Sequence, residues 1–240
     1  MKSYLVNLSG VFAQEGWAEE ALSGSARLLD FSQLPGTCGY CDPDAQAVLS
    51  GAFRQFSAGP AVCWIDTGDY HYLSALRLQV LQAQAFALLL LDHHSDRQTP
   101  AMGPSVLSCG GWVQTALSTC PGLKQVCTVG AGNAPGDFPG GCSPEELLAV
   151  LQPDLPLFIS LDLDVLSPEW FRCDWDQGSM TLPQLFSLLE AILPGRIASG
   201  TLLGIDICGG FTRERGATHS DLALNLRTRK ALSAFLQHLP

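Results

Sequence analysis

The 240-residue chain has no apolar run that approaches the roughly 18 residues needed to cross a bilayer. Its longest uninterrupted apolar stretch, Ala85 to Leu91, suits a buried strand instead. Basic residues are scarce as well: 13 Lys and Arg stand against 23 Asp and Glu, a net charge of −10. That balance excludes a nucleic-acid partner, which needs a basic patch to neutralise phosphates. Part of the negative charge is offset if several Asp side chains sit on cations. An export signal is not expected either, because Asn7, Ser9 and Glu15 break the N-terminal apolar patch before a signal core forms. The nine cysteines, an odd and scattered set, then read as reduced thiols in a cytoplasmic protein. Internal repeats and low-complexity stretches are lacking, and charged residues make up only 15% of the chain against 47% hydrophobic. Disorder is thereby excluded, and the length fits one α/β domain over residues 1–240.

What is present is an alternation of short apolar strands and helical segments. Strands are expected at Tyr4–Leu8, Ala61–Ile65, Phe86–Leu91, Gln125–Val129, Leu157–Leu161 and Leu202–Ile207. Several are apolar nearly throughout, as strands covered on both faces are. Helices are expected at Asp44–Phe56, Tyr72–Gln84, Val113–Thr119, Pro144–Leu151, Leu182–Leu193 and Asp221–His238. Ser143 before Pro144 and Glu146 is a strong helix start, and Thr181-Leu-Pro-Gln184 a weaker one. Gly130–Gly141 reads as an exposed loop. The alternation implies a mostly parallel central sheet with helices on both faces, and functional groups just past the strand ends.

Three segments fit that rule. Phe86–Leu91 runs straight into Asp92-His93-His94-Ser95-Asp96, where Asp92, His94 and Asp96 alternate and so face one way in an extended chain. Leu157–Leu161 leads into Asp162-Leu-Asp164, two acids that repel each other inside an apolar strand unless a cation compensates them. Ala61–Ile65 leads into Asp66-Thr-Gly-Asp69-Tyr70-His71. A solvated polar turn or a structural His is the plain alternative for each segment alone. Together they offer four Asp and two His as ligands. That mixed oxygen and nitrogen set suits Mn²⁺, with Zn²⁺, Fe²⁺ or Co²⁺ as alternatives, and two ions would use all six side chains.

These motifs resemble those of the arginase/agmatinase/formiminoglutamase (ureohydrolase) superfamily. Asp92-His-His94-Ser-Asp96 is similar to its Asp-x-His-x-Asp motif, and Ser160-Leu-Asp162-Leu-Asp164 to its Ser-x-Asp-x-Asp motif. Gly68-Asp-Tyr-His71 stands where the superfamily has a Gly-Gly-Asp-His turn, with a Tyr inserted. Gly68-Asp-Tyr-His71-Tyr-Leu73 together with Asp92-His-His-Ser-Asp96 looks like an uncharacterised arginase-like branch. The resemblance implies a single-domain three-layer arginase-like fold, two divalent ions and hydrolysis of a C–N bond in a small molecule. It implies that Asp92 and Asp162 bridge the ions, that His71 and Asp96 complete one site, and that His94 and Asp164 complete the other. Asp96 would also orient the attacking water. Trimers or hexamers are common in the superfamily, so a homo-oligomer is expected, without a membrane or nucleic-acid partner.

The resemblance breaks at the substrate grip. Arginase-like enzymes end a late strand in Asp-Ile-x-Glu, whereas this chain reads Asp206-Ile-Cys208-Gly209. A guanidinium there would lose a charged hydrogen bond worth roughly 1.5–3 kcal/mol, which disfavours arginine and agmatine. A His that follows the first motif is also replaced, the stretch reading Val106-Leu-Ser-Cys109-Gly-Gly-Trp112. Cys109 becomes a candidate catalytic thiol beside Asp96, and Trp112, Asp206 and Arg213 are candidates for substrate binding. The alternatives are a metal-binding protein without catalysis, or a one-zinc deacetylase-like amidohydrolase. Cys38-Gly-Tyr-Cys41 has redox or zinc spacing but no second pair, and His219 and His238 read as surface residues.

Overall fold

The computed structural model describes residues 1–55, 59–81, 85–99, 103, 106–132 and 134–239. In chain order its elements are β1 (Lys2–Asn7), α1 (Val11–Glu15), α2 (Trp17–Ser23), β2 (Arg27–Asp30), β3 (Tyr40–Cys41), α3 (Pro43–Phe53), β4 (Ala61–Ile65), α4 (Leu73–Val80) and β5 (Phe86–Leu91). There follow β6 (Leu107–Ser108), α5 (Trp112–Thr119), β7 (Leu123–Val129), α6 (Pro144–Val150), β8 (Leu157–Asp162), α7 (Leu182–Ala198), β9 (Leu202–Cys208) and α8 (His219–Gln237).

Seven strands form one sheet in the order β2-β1-β4-β9-β8-β5-β7, and every pairing in it is parallel. The period of two in β5 shows how both faces are covered. Leu88 and Leu90 pack with Leu49, Phe53, Leu76 and Trp112 from α3, α4 and α5. Leu89 and Leu91 enter a second cluster with Leu147, Leu185, Leu189 and Leu232 from α6, α7 and α8. The result is a three-layer α/β fold. The four central strands β4, β9, β8 and β5 send their carboxyl ends to one place, which is where the motifs lie. Among the described residues no helix is long and apolar enough to cross a membrane, and none of the nine cysteines is in a disulfide.

The differences from the sequence expectation have local causes. Helices α1 and α2 went unpredicted because Gly10 and Gly16, at φ 84° and 79°, cut the segment into pieces too short to carry a helical period. The polar-ended edge strand β2 and the two-residue pair β3/β6 also lie below the reach of a pattern. Helix α7 does not stop at Leu193 but runs through Pro194 to Ala198. The carbonyl that Pro194 leaves without a donor belongs to Glu190, an exposed residue that water can serve. Helix α8 begins at His219 and not Asp221, because Thr218 caps it and Asp221 is the third residue of the capping box. The expected ends of two helices, Phe56 and Gln82–Gln84, lie outside the described residues.

Candidate metal centre

The strand ends bring together the side chains of all three sequence segments. His71 follows the 3₁₀ turn Gly68–Tyr70 after β4, Asp92 to Asp96 follow β5, and Asp162 and Asp164 close β8. His71 Nδ1 lies 3.0 Å from Asp96 Oδ2, 3.3 Å from Asp92 Oδ2 and 3.4 Å from Asp162 Oδ2. His94 Nδ1 lies 2.8 Å from Asp164 Oδ2 and 3.7 Å from Asp92 Oδ1. Donor atoms thus gather into the groups His71/Asp92/Asp96 and Asp92/His94/Asp164, with Asp92 common to both.

Each of the four carboxylates is only 1% to 6% exposed, so water does little to offset their mutual repulsion. Burial, then the charge of Asp164, pushes the Asp162 carboxyl up to about 8. Burial, then the charge of Asp92, pushes Asp164 up to about 6. Asp96 is also raised, chiefly by burial. For His71, burial favours the neutral ring, but the Asp92 and Asp96 carboxylates beside it outweigh that and hold the imidazole well above its ordinary value. His94 is held up to about 11, foremost by its hydrogen bond to Asp164.

The backbone fixes these groups. His94 N–H donates to Asp92 Oδ1 at 2.6 Å, His93 N–H to Asp164 Oδ1 at 3.0 Å, and Asp164 N–H to Asp162 Oδ1 at 3.0 Å. Asp96 adopts φ 48°, in the left-handed region that Asp tolerates better than most residues, which turns its carboxylate back toward His71. One atom is left over: Asp92 Oδ2 is buried and accepts no hydrogen bond. An orphaned buried carboxylate oxygen is costly, and a cation between Asp92, His71 and Asp96 would satisfy it. The oxygen and nitrogen donors therefore fit a pair of divalent ions.

Behind the cluster runs a buried chain of polar contacts. His71 Nε2 meets Ser160 Oγ at 2.9 Å, Ser160 Oγ meets Ser74 Oγ at 3.1 Å, and Ser74 donates to Asp206 Oδ2 at 2.8 Å. Asp206 is also paired with Arg77. With Nε2 occupied in this way, Nδ1 is the nitrogen that faces the carboxylates.

Above the cluster lies a cavity of about 310 Å³ whose lining includes Tyr40, Asp69, Gln98, Cys109 and Trp175 besides the cluster itself. A larger cleft of about 650 Å³ lies at the opposite, amino-terminal side of the sheet around Met1, Tyr4 and Trp64, away from these side chains. The β3/β6 pair joins Tyr40 to Ser108, and Cys109 N–H donates to Gly39 O at 3.0 Å, which builds one wall. The other wall carries Trp175, whose ring centroid is 6.1 Å from that of His94. Gly178 N–H anchors that wall on Asp164 O at 2.7 Å, and a Cβ at Gly178 would stand 2.5 Å from Val165 O.

Three candidate substrate-binding residues lie elsewhere. Trp112 is fully buried and absent from the lining; its indole N–H donates to Asp96 Oδ2 at 2.6 Å. Asp206 is likewise fully buried, at the far end of the polar chain behind His71. Arg213 is exposed and bonds through its backbone N–H to Gln14; its neighbour Arg215 is the one that reaches the rim, 3.4 Å from Asp69 and 2.6 Å from Asp174. The physical reason is the strand period, which turns Asp206 toward the α4 layer with Ser74, while the turn after β9 carries Arg213 outward. Cys109 does line the cavity, but burial and then the charge of Asp96 push its thiol up to about 11, the opposite of an activated nucleophile. Sequence reasoning missed Trp175, Ser160 and Cys208, whose Sγ lies within 4.8 Å of donor atoms of His71 and Asp162. Ser160 was legible in the Ser-x-Asp motif; Trp175 stands in a loop without periodicity.

No protein-family model and no curated protein sequence matches the chain. Solved structures do. A structure titled a hypothetical agmatinase from Burkholderia thailandensis superposes with a TM-score of 0.69 at 13% identity, over 98% of this chain and 85% of that one. Proclavaminate amidino hydrolase from Streptomyces clavuligerus gives 0.67 at 14% identity, over 99% and 92%. Formimidoylglutamase from Bacillus subtilis gives 0.67 at 18% identity, over 98% and 85%. The chain has the arginase-like α/β fold.

Proposed function

We propose that this chain, built on the fold of the ureohydrolases, hydrolyses a carbon–nitrogen bond of a small amidine, ureide or amide at a centre of two divalent cations. The observation that carries the reading is the convergence of four buried carboxylates and two imidazoles around Asp92, one oxygen of which accepts no hydrogen bond. His71, Asp96 and the shared Asp92 would hold one cation, and His94, Asp164 and Asp92 the other, with Asp162 beside both. When bound, such a pair supplies Lewis acidity that makes water nucleophilic at neutral pH. The protein's own groups do the rest. Asp96 Oδ2 is fixed by Trp112 and His71, which leaves Oδ1 to orient a water and take its proton. His94, the half-exposed imidazole of the floor, borders the cavity on the side of Trp175, and the proton that Asp96 takes from the water is the one that Asp96 can hand to the departing nitrogen. Trp175 and Tyr40 narrow the entrance and limit the access of bulk water.

The substrate is not arginine in this reading, and the reason is steric as well as electrostatic. Gly209 has φ 123°, and a Cβ there would stand 3.0 Å from Leu163 Cβ and 3.1 Å from Asp162 Oδ1. A Glu at this position would strain the backbone and press on Leu163 and Asp162, so one substitution would restore the guanidinium grip only if these neighbours shift. The deciding experiment is metal analysis of the purified protein followed by a screen for metal-dependent release of ammonia, urea or formamide. A pair of bound ions and turnover of a non-arginine compound are expected. Full occupancy without turnover of any compound would leave a metal-binding protein, and one zinc with acetate release would leave a deacetylase. A protein that takes up no divalent metal would sink the reading.

Trp112 offers an independent check on the positioning of Asp96. Trp112→Phe keeps the ring but deletes the N–H, and is expected to lower metal affinity roughly 10–100-fold, as losses of partners behind a ligand do. Competition with a chelator would measure it, and circular dichroism should remain unchanged.

A further inference from the structure

We propose that Cys208 is a sulfur ligand of the cation on the His71 side, which makes that position selective for Zn²⁺, Fe²⁺ or Co²⁺ over Mn²⁺. The inference rests on reading the cluster as a metal centre. Cys208 is the last residue of β9, and in the β8/β9 ladder its Cα is the partner of Asp162. Paired residues in a sheet present their side chains on the same face, so the thiol and the carboxylate are neighbours by register. One donor atom each from His71, Asp162 and Cys208 lies within 4.8 Å of the others, and all three residues are buried.

Two further observations point to a ligand there. Asp92 Oδ2, the orphaned oxygen, is 3.3 Å from the same His71 Nδ1. The partners of the Cys208 thiol are backbone carbonyls, Thr67 O at 3.2 Å and Asp66 O at 3.7 Å, and S–H is a weak donor. A cation would displace those bonds at small cost. Gly209 keeps the space open, since any side chain there would press on Asp162 Oδ1.

The chemical consequence follows from ligand softness. Oxygen and imidazole donors alone accept Mn²⁺, but thiolate favours Zn²⁺, Fe²⁺ and Co²⁺. On loading, the thiol gives its proton to the buffer and the sulfur its electron pair to the ion. The second position, with His94 and Asp164, has no sulfur in its group and keeps its preference for harder ions.

Cobalt titration tests this with an optical readout that does not depend on turnover. Co²⁺-loaded protein is expected to show a sulfur-to-cobalt charge-transfer band. Cys208→Ser should abolish that band and lower the Zn²⁺-over-Mn²⁺ affinity ratio by about tenfold or more, while Cys109→Ser should keep it. X-ray absorption at the zinc edge of the unmodified protein needs no variant to fold, and should find sulfur at about 2.3 Å. Cobalt bound without the band, a band that survives in Cys208→Ser, or a zinc edge without sulfur would overturn the assignment of Cys208 alone. Binding of Mn²⁺ but of neither cobalt nor zinc would also overturn the assignment of Cys208 alone, whereas a protein that binds none of the three would overturn the metal centre and this inference together.

Discussion

Asp92→Asn is expected to empty the centre and to lower kcat/KM by about a thousandfold. Asp92 is the carboxylate common to both donor groups, so its charge serves both cations at once. Its Oδ1 accepts the His94 N–H at 2.6 Å, a bond that an amide oxygen can still accept, so the turn after β5 survives the change. What disappears is one negative charge and one ligand oxygen at Oδ2. Lewis-acid stabilisation is worth several kcal/mol, and about 4 kcal/mol corresponds to a factor of about a thousand. Metal content and kcat/KM on the compound found in the screen are the readouts. A variant with normal metal content and normal turnover would refute the shared role of Asp92.

Metal removal should make stability fall steeply with pH. Asp162 at about 8 and Asp164 at about 6 both stand above the unfolded carboxylate value of about 3.8. Each carboxyl therefore stays protonated in the fold while it is already ionised in the unfolded chain. Stability from these groups is present at acid pH and is lost as pH rises from about 4 through about 8. His94, at about 11, and His71, also raised, act in the same direction. Their protonated rings stabilise the metal-free fold below the ordinary imidazole value, and this contribution is lost as pH rises toward their folded values. Chelated protein should melt at lower temperature at about pH 9 than at about pH 5. Metal at a hundredfold excess over Kd should restore about 2.7 kcal/mol, or roughly 5–10 °C for a chain of this size. A melting temperature that is flat with pH and indifferent to metal would contradict the arrangement.

How much of this was legible beforehand depended on the period of each segment. The core strands β4 and β5 were bounded correctly from sequence, because apolar runs ended by Asp have an unambiguous edge. The six side chains that converge were also legible, since alternation in Asp92-x-His94-x-Asp96 and Asp162-x-Asp164 fixes their common face. Trp112 and Asp206 were singled out as pocket candidates, and both lie behind the ligands, not in the cavity. Their distance from the cavity depends on how α4 and α5 pack against the sheet, which no local pattern encodes. Cys208 was overlooked for a related reason. Its closeness to Asp162 is a matter of register between strands about 40 residues apart in sequence, and register is set by tertiary packing.

The hydrogen bond from the Gly178 N–H to the backbone carbonyl of Asp164 has a consequence for traffic through the cavity. Because the segment that bears Trp175 is stitched to the main chain of a floor residue, with no room for even a methyl group at Gly178, that wall is a fixture. Entry and exit of molecules must then fall to the opposite side, where Tyr40 and Cys41 are held by a ladder only two residues long. The yielding side of the cavity is the one hung on the two-residue ladder, and the unyielding side is a loop pinned by its main chain to the floor.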